Sequence, residues 1–169
     1  MNNSVCFHFR NQYVITNSNA NFPLPGWKRI PFGINSSIYH HPALETAYHV
    51  SDRSDIAVIG FILDADNPRY SNSDILKDLS SNSTFDSFLK STFRYGGRYC
   101  LLYRNRDGEY IVPDSLGLRE IYYTFKGDMF ICASQPKLIN LCSSQHPNDD
   151  PDYLAFVCGR DSRFAQIWR

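Results

Sequence analysis

The sequence has no surplus of either charge, with 17 lysines and arginines against 17 aspartates and glutamates. A balanced surface gives no field of the kind that draws a chain to nucleic acid or an anionic membrane. No apolar run reaches the roughly 20 residues that cross a bilayer. The opening MNNSVCFHFR has neither a basic leader nor the apolar core of a signal peptide. The five cysteines (Cys6, Cys100, Cys132, Cys142 and Cys158) are odd in number, far apart and never in a C-x-x-C pair. That spacing speaks against structural zinc, and no metal ligand set is assigned. Repeats, low-complexity tracts and internal boundary signals are missing as well. These absences lead us to expect one cytoplasmic domain with reduced thiols, and neither nucleic acid nor membrane as a partner.

What is present is apolar and aromatic. A hydrophobic share of 43% and an aromatic share of 15% suit a packed globule and not a disordered chain. VCFHF (5–9) and QYVIT (12–16) predict an N-terminal hairpin. Residues 17–53, rich in proline and glycine, predict loops and short edge strands. DIAVIGFILD (55–64) is a continuous apolar run of strand length, expected to be buried on both faces. Ser71 and Asp74 form a capping-box pattern that starts one helix. Phe85, Phe88, Leu89 and Phe93 share a face of a second, with Gly96 or Gly97 as its stop. RYCLLYRNRDGEYIVPD predicts a hairpin around Asp107-Gly108. EIYYTF and MFICAS predict another around KGD. SQPKLINLC predicts a helix capped by Ser134 with Pro136 in its first turn. A last helix is predicted from Asp150 to Gly159. Strands, helices, strands, helices in that order suit antiparallel sheets with helices on their outer faces.

Between the two later hairpins lies VPDSLGLREIYY (112–123), a longer and more charged connection than a simple hairpin needs. The residues alone suggest that Gly117 takes a positive φ and that Asp114 bonds nearby backbone. The run from Gly97 through this connection to FICASQPKLI resembles the amidotransferase-like N-terminal domain of the asparagine synthetase family. Asp114, Leu116, Gly117, Tyr122, Tyr123, Ala133, Ser134 and Lys137 stand at matching positions, and Gln135 replaces a usual glutamate. From 55 to 96 the match is loose, and from 17 to 53 none is readable. The resemblance implies an N-terminal-nucleophile hydrolase fold, an α+β, four-layer αββα sandwich with two antiparallel sheets. It implies residues 1–150 as that domain and 151–169 as the start of a linker toward a synthetase domain. The chain carries no Ser-Gly-Gly-x-Asp-Ser pyrophosphate loop, so ATP and Mg are expected only with that second domain and no cofactor is assigned here.

An active member of the family needs a cysteine at its mature N-terminus, whose thiol attacks the glutamine amide while its own amine serves as base. Here Asn2 follows Met1, and Met1 is expected to be retained. The family's oxyanion hole pairs an Asn side chain with a Gly N–H, where this sequence has Ile59-Gly60. Phe61 replaces the glutamate that follows. The aspartate that holds the substrate amine corresponds to Asn72. Arg29 and Arg53 are candidates by position for the carboxylate clamp. The resemblance therefore implies a degenerate domain, as in β-lactam synthetases and lasso-peptide cyclases, with no catalytic residue. An alternative is that cleavage after Val5 exposes Cys6 as the nucleophile, although Cys6 fits a buried strand equally well. Another is that the vestigial pocket holds a small amino-acid-like or peptide ligand.

His40, His41, Glu45 and His49 have a spacing that suits a metal only on a helix, and Pro42 breaks that helix, so a polar surface loop is expected. Tyr153, Leu154, Phe156, Phe164, Ile167 and Trp168 crowd the C-terminal stretch with apolar surface, which calls for a cover. A synthetase domain in cis or a second copy of the chain is the expected partner.

Overall fold

Alternation between two faces organises the strands of this chain. In the computed structural model, which describes residues 9–18 and 22–143, β1 (Tyr13–Thr16), β2 (Lys28–Phe32), β3 (Ser36–His40), β4 (Thr46–Val50) and β5 (Asp55–Asp64) come first. α1 (Asn72–Leu79) and α2 (Phe85–Thr92) follow. β6 (Tyr95–Arg104), β7 (Glu109–Pro113), β8 (Tyr122–Lys126), β9 (Met129–Ala133) and α3 (Pro136–Ser143) complete the order. The strands form two antiparallel sheets, β2-β3-β1-β9-β8 and β4-β5-β6-β7.

Three apolar clusters stack these layers. On β5, Ala57 and Ile59 face the other sheet and join Tyr13, Ile15, Ile38, Cys100, Leu102 and Cys132. One residue out of step, Ile56, Val58 and Ile62 pack against Ile75, Leu76, Leu79 and Phe88 of α1 and α2. Val14, Ile131 and Ala133 turn away from the middle cluster and sit with Leu138 and Ile139 of α3. Each fully buried Ile, Leu or Phe contributes roughly 1.5–3 kcal/mol against exposure. Helix, sheet, sheet, helix is the result, and the expected αββα sandwich is present.

The unequal lengths of the strands in the four-stranded sheet shape the end of the sandwich that carries the candidate site. β5 and β6 pair over their whole length, from Asp55↔Arg104 to Asp64↔Tyr95. β4 covers β5 only as far as Thr46↔Ile59, and β7 reaches β6 only as far as Cys100↔Pro113. The β5–β6 ribbon therefore overhangs its neighbours from Gly60 onward. On the overhang, Phe61 and Leu63 are 43% and 53% exposed. The expectation that this strand is buried on both faces holds only for its first half.

Other local expectations divide in the same way. The Ser71–Asp74 capping box is present at α1, and Thr84 with Ser87 forms a second at α2 that the sequence reading missed. Gly127, at φ 56, occupies the first position of the two-residue β8–β9 turn, where a left-handed residue suits the strand twist. The β6–β7 loop is longer than the Asp-Gly signal suggested. It runs from Asn105 to Gly108, and Asn105 Oδ1 accepts from the Asp107 and Gly108 amides at 2.9 and 3.2 Å. Gly96 and Gly97 are not the stop of α2 but lie in β6. At φ 123, a Cβ on Gly97 would strike the Phe61 carbonyl. Phe93 leaves the apolar face of α2 and is 76% exposed. Within 17–53, β2 and β4 are edge strands as expected, whereas β3 is interior, paired with both β1 and β2. The predicted strand at 5–9 reaches the described residues only at Phe9, which lies in a turn. Cys6, the helix after Asp150 and the apolar C-terminal stretch lie outside them.

Candidate functional site

The charged connection between β7 and β8 is organised by one carboxylate. Asp114 is 3% exposed. Its Oδ1 accepts from the Leu116 and Leu118 amides at 3.1 and 2.9 Å. Its Oδ2 accepts from the Arg119 amide at 2.9 Å and the Tyr99 amide at 3.4 Å. Burial pushes this carboxyl's pKa up, but the ring of backbone N–H donors outweighs it and holds the group below its ordinary range. Gly117, at φ 64, closes the turn by donating to the Asp114 carbonyl at 3.0 Å. The expectation for both residues is met. The consequence is that Arg119 and Glu120 are delivered to the overhang end of the sandwich.

Gly60, the first residue beyond the cover of β4, has both backbone groups engaged. Its N–H donates to the Glu45 carbonyl at 2.8 Å. Its carbonyl accepts from Asn72 Nδ2 at 2.9 Å. The Asn72 amide also accepts from Ile62 N–H at 3.0 Å and donates to Glu45 Oε1 at 3.0 Å. One side-chain amide thus replaces the missing neighbour strand, giving a donor and an acceptor to the open edge of β5. Asn72 is 7% exposed and does not line the cavity described next. Ile59 is fully buried between the sheets.

A cavity of about 430 Å³ opens where the turn before β1, the loop before β4, the overhang and the charged connection converge. Three arginines (Arg10, Arg98 and Arg119) and two acids (Glu45 and Glu120) line it, with Gly60, Phe61 and Ser134. Arg119 is only 9% exposed. It donates through Nη1 to the Asn11 carbonyl at 3.2 Å, while its Nε is buried without a partner. Its Nη2 lies 2.9 Å from the place a Cβ on residue 60 would occupy. The same Cβ would strike the Arg98 carbonyl, so this close approach depends on glycine, here at φ 104. Burial and the charge of Arg98 both push the Arg119 pKa down. Arg98 donates through Nε to the Leu118 carbonyl at 3.0 Å. The turn that presents Arg10 holds Phe9 and Asn11 at φ 61 and 58. A left-handed Phe is strained, and such strain collects at ligand-facing sites.

No family model matches the sequence, and no curated protein does.

Chemistry in the cavity is limited by what its walls carry. Ser134 is the one hydroxyl among them, and it accepts from Tyr13 N–H at 3.0 Å and donates to the Tyr13 carbonyl at 3.2 Å. That role corrects the expectation that Ser134 caps α3. Cys100 and Cys132 are buried in the middle cluster, not in the cavity wall. Burial pushes the Cys132 thiol up to about 12 and the Cys100 thiol further, so neither supplies a thiolate. Cys6, the alternative nucleophile, lies outside the described residues.

The positional arginine candidates fall elsewhere. Arg29 on β2 donates to Ser37 Oγ at 3.0 Å, and Arg53 sits in the loop before β5. Neither lines the cavity. The histidines also differ from expectation: His40 and His41 are 3% and 4% exposed, at the end of β3 and not in a surface loop. His40 Nδ1 lies 3.1 Å from the His41 carbonyl, and His41 Nδ1 accepts from the Ala43 amide at 3.0 Å. Burial pushes the His40 pKa down. Their place is explained by the β3 pairing that the sequence reading missed. Among the described residues no group of His, Cys, Asp and Glu is placed to hold a metal ion, and no helix is long and apolar enough to cross a membrane. The cavity arginines Arg10 and Arg98 were missed because no local pattern sets them apart. The 112–123 connection, with Arg119 and Glu120, pointed here, as did Gly60, Phe61 and Ser134, which the resemblance had singled out.

Proposed function

We propose that this chain is a non-catalytic, amidotransferase-like domain of an ATP-dependent, amide-forming enzyme of the asparagine-synthetase type, serving as structural support for a synthetase domain. The observation that carries the reading is the state of Ile59-Gly60. The resemblance puts the two oxyanion donors there, an Asn side chain and a Gly N–H. In this chain the first is an Ile turned into the core, and the second already donates to the Glu45 carbonyl at 2.8 Å. Losing one such donor costs on the order of 10²–10³ in rate, and losing both leaves a tetrahedral intermediate without support. The αββα layering and the built connection around Asp114 support the relationship to that fold class.

The purified chain is expected to release no ammonia from glutamine above a protein-free control. Turnover that disappears in Cys6→Ala would overturn the reading and establish Cys6 as a nucleophile. Turnover that survives Cys6→Ala would overturn it as well, by requiring a different catalytic group.

A further inference from the structure

We propose that the slot between the two sheets, at the end of β6 away from the overhang, binds a small organic cation, an aromatic ring on a short chain ending in an ammonium group. The inference goes beyond the supporting role described above and does not rest on it. The walls come from both sheets. Ile15, Phe32, Phe125 and Phe130 stand on β1, β2, β8 and β9, and Leu102 and Ile111 on β6 and β7. They enclose about 260 Å³, below the roughly 300–1,000 Å³ of pockets for drug-sized ligands. One ring with a short chain is what such a space can hold. Protein interiors are close-packed, and an unfilled apolar gap forfeits the contacts that its lining would otherwise make. Here the aromatic lining stays partly uncovered. Phe125 is 67% exposed although its ring lies 5.1 Å from that of Phe130. A flat ring inserted beside this pair would cover both in an offset or edge-to-face contact.

Charge selects among aromatic molecules. Glu109 is the only charged side chain in the lining. Its Oε2 accepts from Ser36 Oγ at 2.8 Å, a bond that ties β3 to β7 across the mouth. Its Oε1 stands 3.7 Å from Arg104 Nε, but Arg104 also donates through Nη1 to Asp55 Oδ2 at 2.8 Å. One guanidinium between two carboxylates leaves the three groups with one net negative charge. Glycine holds this carboxylate in place, since a Cβ on Gly33, at φ 65, would strike Glu109 Oε1. An ionised carboxylate accepts and cannot donate, so it calls for N–H groups, and the unbalanced charge calls for a cation. The same charge repels an anionic ligand, which sets the slot apart from the arginine-lined cavity at the overhang.

The test is calorimetric titration and thermal unfolding of the full chain with phenethylamine, tryptamine, phenethyl alcohol and phenylalanine. At least one of the two amines should bind saturably and raise Tm by roughly 5 °C or more at a hundredfold excess over Kd. Phenethyl alcohol, alike in shape but uncharged, should bind about threefold or more weakly than phenethylamine, and high salt should narrow the gap. Phenylalanine, which sets a carboxylate beside its ammonium, should also bind more weakly. Glu109→Gln can keep the Ser36 contact while removing the charge, so it should erase the preference for amine over alcohol. Loss of packing alone would not move that ratio. Phe125→Ala, at an exposed position, should weaken amine and alcohol alike. Lys90→Gln on α2, outside the slot, should bind normally. No response to either amine, an equal response to the alcohol, or a preference that survives Glu109→Gln would overturn the proposal. Affinity that rises with protein concentration would place the ring between two copies and overturn it as well. None of those results bears on glutamine hydrolysis, so the two readings fail separately.

Discussion

At the residue scale, Asp114 shows how a carboxylate does the work of a secondary-structure element. Four backbone amides converge on two oxygens in a place only 3% exposed. Hydrogen bonds to a charged group are worth about 1.5–3 kcal/mol each when an orphaned donor would otherwise remain. Asp114→Asn turns one oxygen into an NH₂ that faces further N–H donors, so we expect a loss of about 2–3 kcal/mol at pH 7. The sign of its pH dependence is fixed by the downward shift of the folded pKa. The contribution is complete above the unfolded value of about 3.9 and fades as pH falls through the lower folded value. Urea unfolding should therefore show a gap between the wild-type protein and Asp114→Asn that is full at pH 5–7 and narrows below about pH 4. A gap independent of pH would mean that shape, not charge, holds this connection. This residue was legible in the sequence because its partners lie within five positions of it, apart from Tyr99. Arg119 was only half legible. Its place in a charged turn was visible, but its burial depends on Gly60, which is 59 positions away.

At the element scale, the overhang of β5 and β6 is the feature that creates the cavity, and it was not visible in the sequence. The apolar run 55–64 announced a strand, and β5 occupies those bounds. What no local pattern announced is that β4 stops at the partner of Ile59, because strand length is read locally but cover is not. The open edge is closed by Asn72, whose amide meets Gly60 and Ile62 as a neighbouring peptide would. Only a side chain with one donor and one acceptor end can do this. Asn72→Asp is thus a sharper test than truncation, since it keeps the volume and removes the donor. It sets a carboxylate oxygen against the Gly60 carbonyl and the Glu45 carboxylate. We expect a loss of about 3 kcal/mol at neutral pH, partly recovered when acid protonates the new carboxyl. The measurement is global unfolding at neutral and acid pH, because the new carboxylate can still accept from Ile62 N–H and only the donor to Gly60 and Glu45 is lost. A stability equal to the parent's at neutral pH would show that the Asn72 donor does not close the strand. The same distinction between local and distant information explains the other differences. The α1 capping box spans four residues and was readable, whereas the roles of Gly97 against the Phe61 carbonyl and of Ser134 on Tyr13 required the assembled sheets.

At the scale of the whole molecule, the layered order was foreseeable because each layer is announced by periodicity, while the surfaces left uncovered were not. β8 ends the five-stranded sheet with its outer edge unpaired among the described residues. Tyr123 and Phe125 on this strand are 66% and 67% exposed. Natural edges are commonly blunted by charge, proline or a bulge, and β8 has only Lys126 at its end for this purpose. The formal net charge is zero, so no long-range repulsion keeps two copies apart near neutral pH. An aromatic edge on an uncharged molecule is suited to pairing, with a partner domain or with a second copy. We therefore expect the isolated chain to associate reversibly as concentration rises, most strongly near pH 7, where charge repulsion is least. Replacing Tyr123 and Phe125 together by Lys adds two positive charges to the edge. Both side chains are largely solvent-exposed, so the double variant should unfold within about 1 kcal/mol of the parent. Sedimentation velocity across a concentration series should show the dependence in the wild-type chain and its loss in the variant. If the variant associates as strongly as the parent, β8 is not the adhesive edge. If the wild-type chain stays monomeric throughout, the open edge alone is too weak to hold two copies.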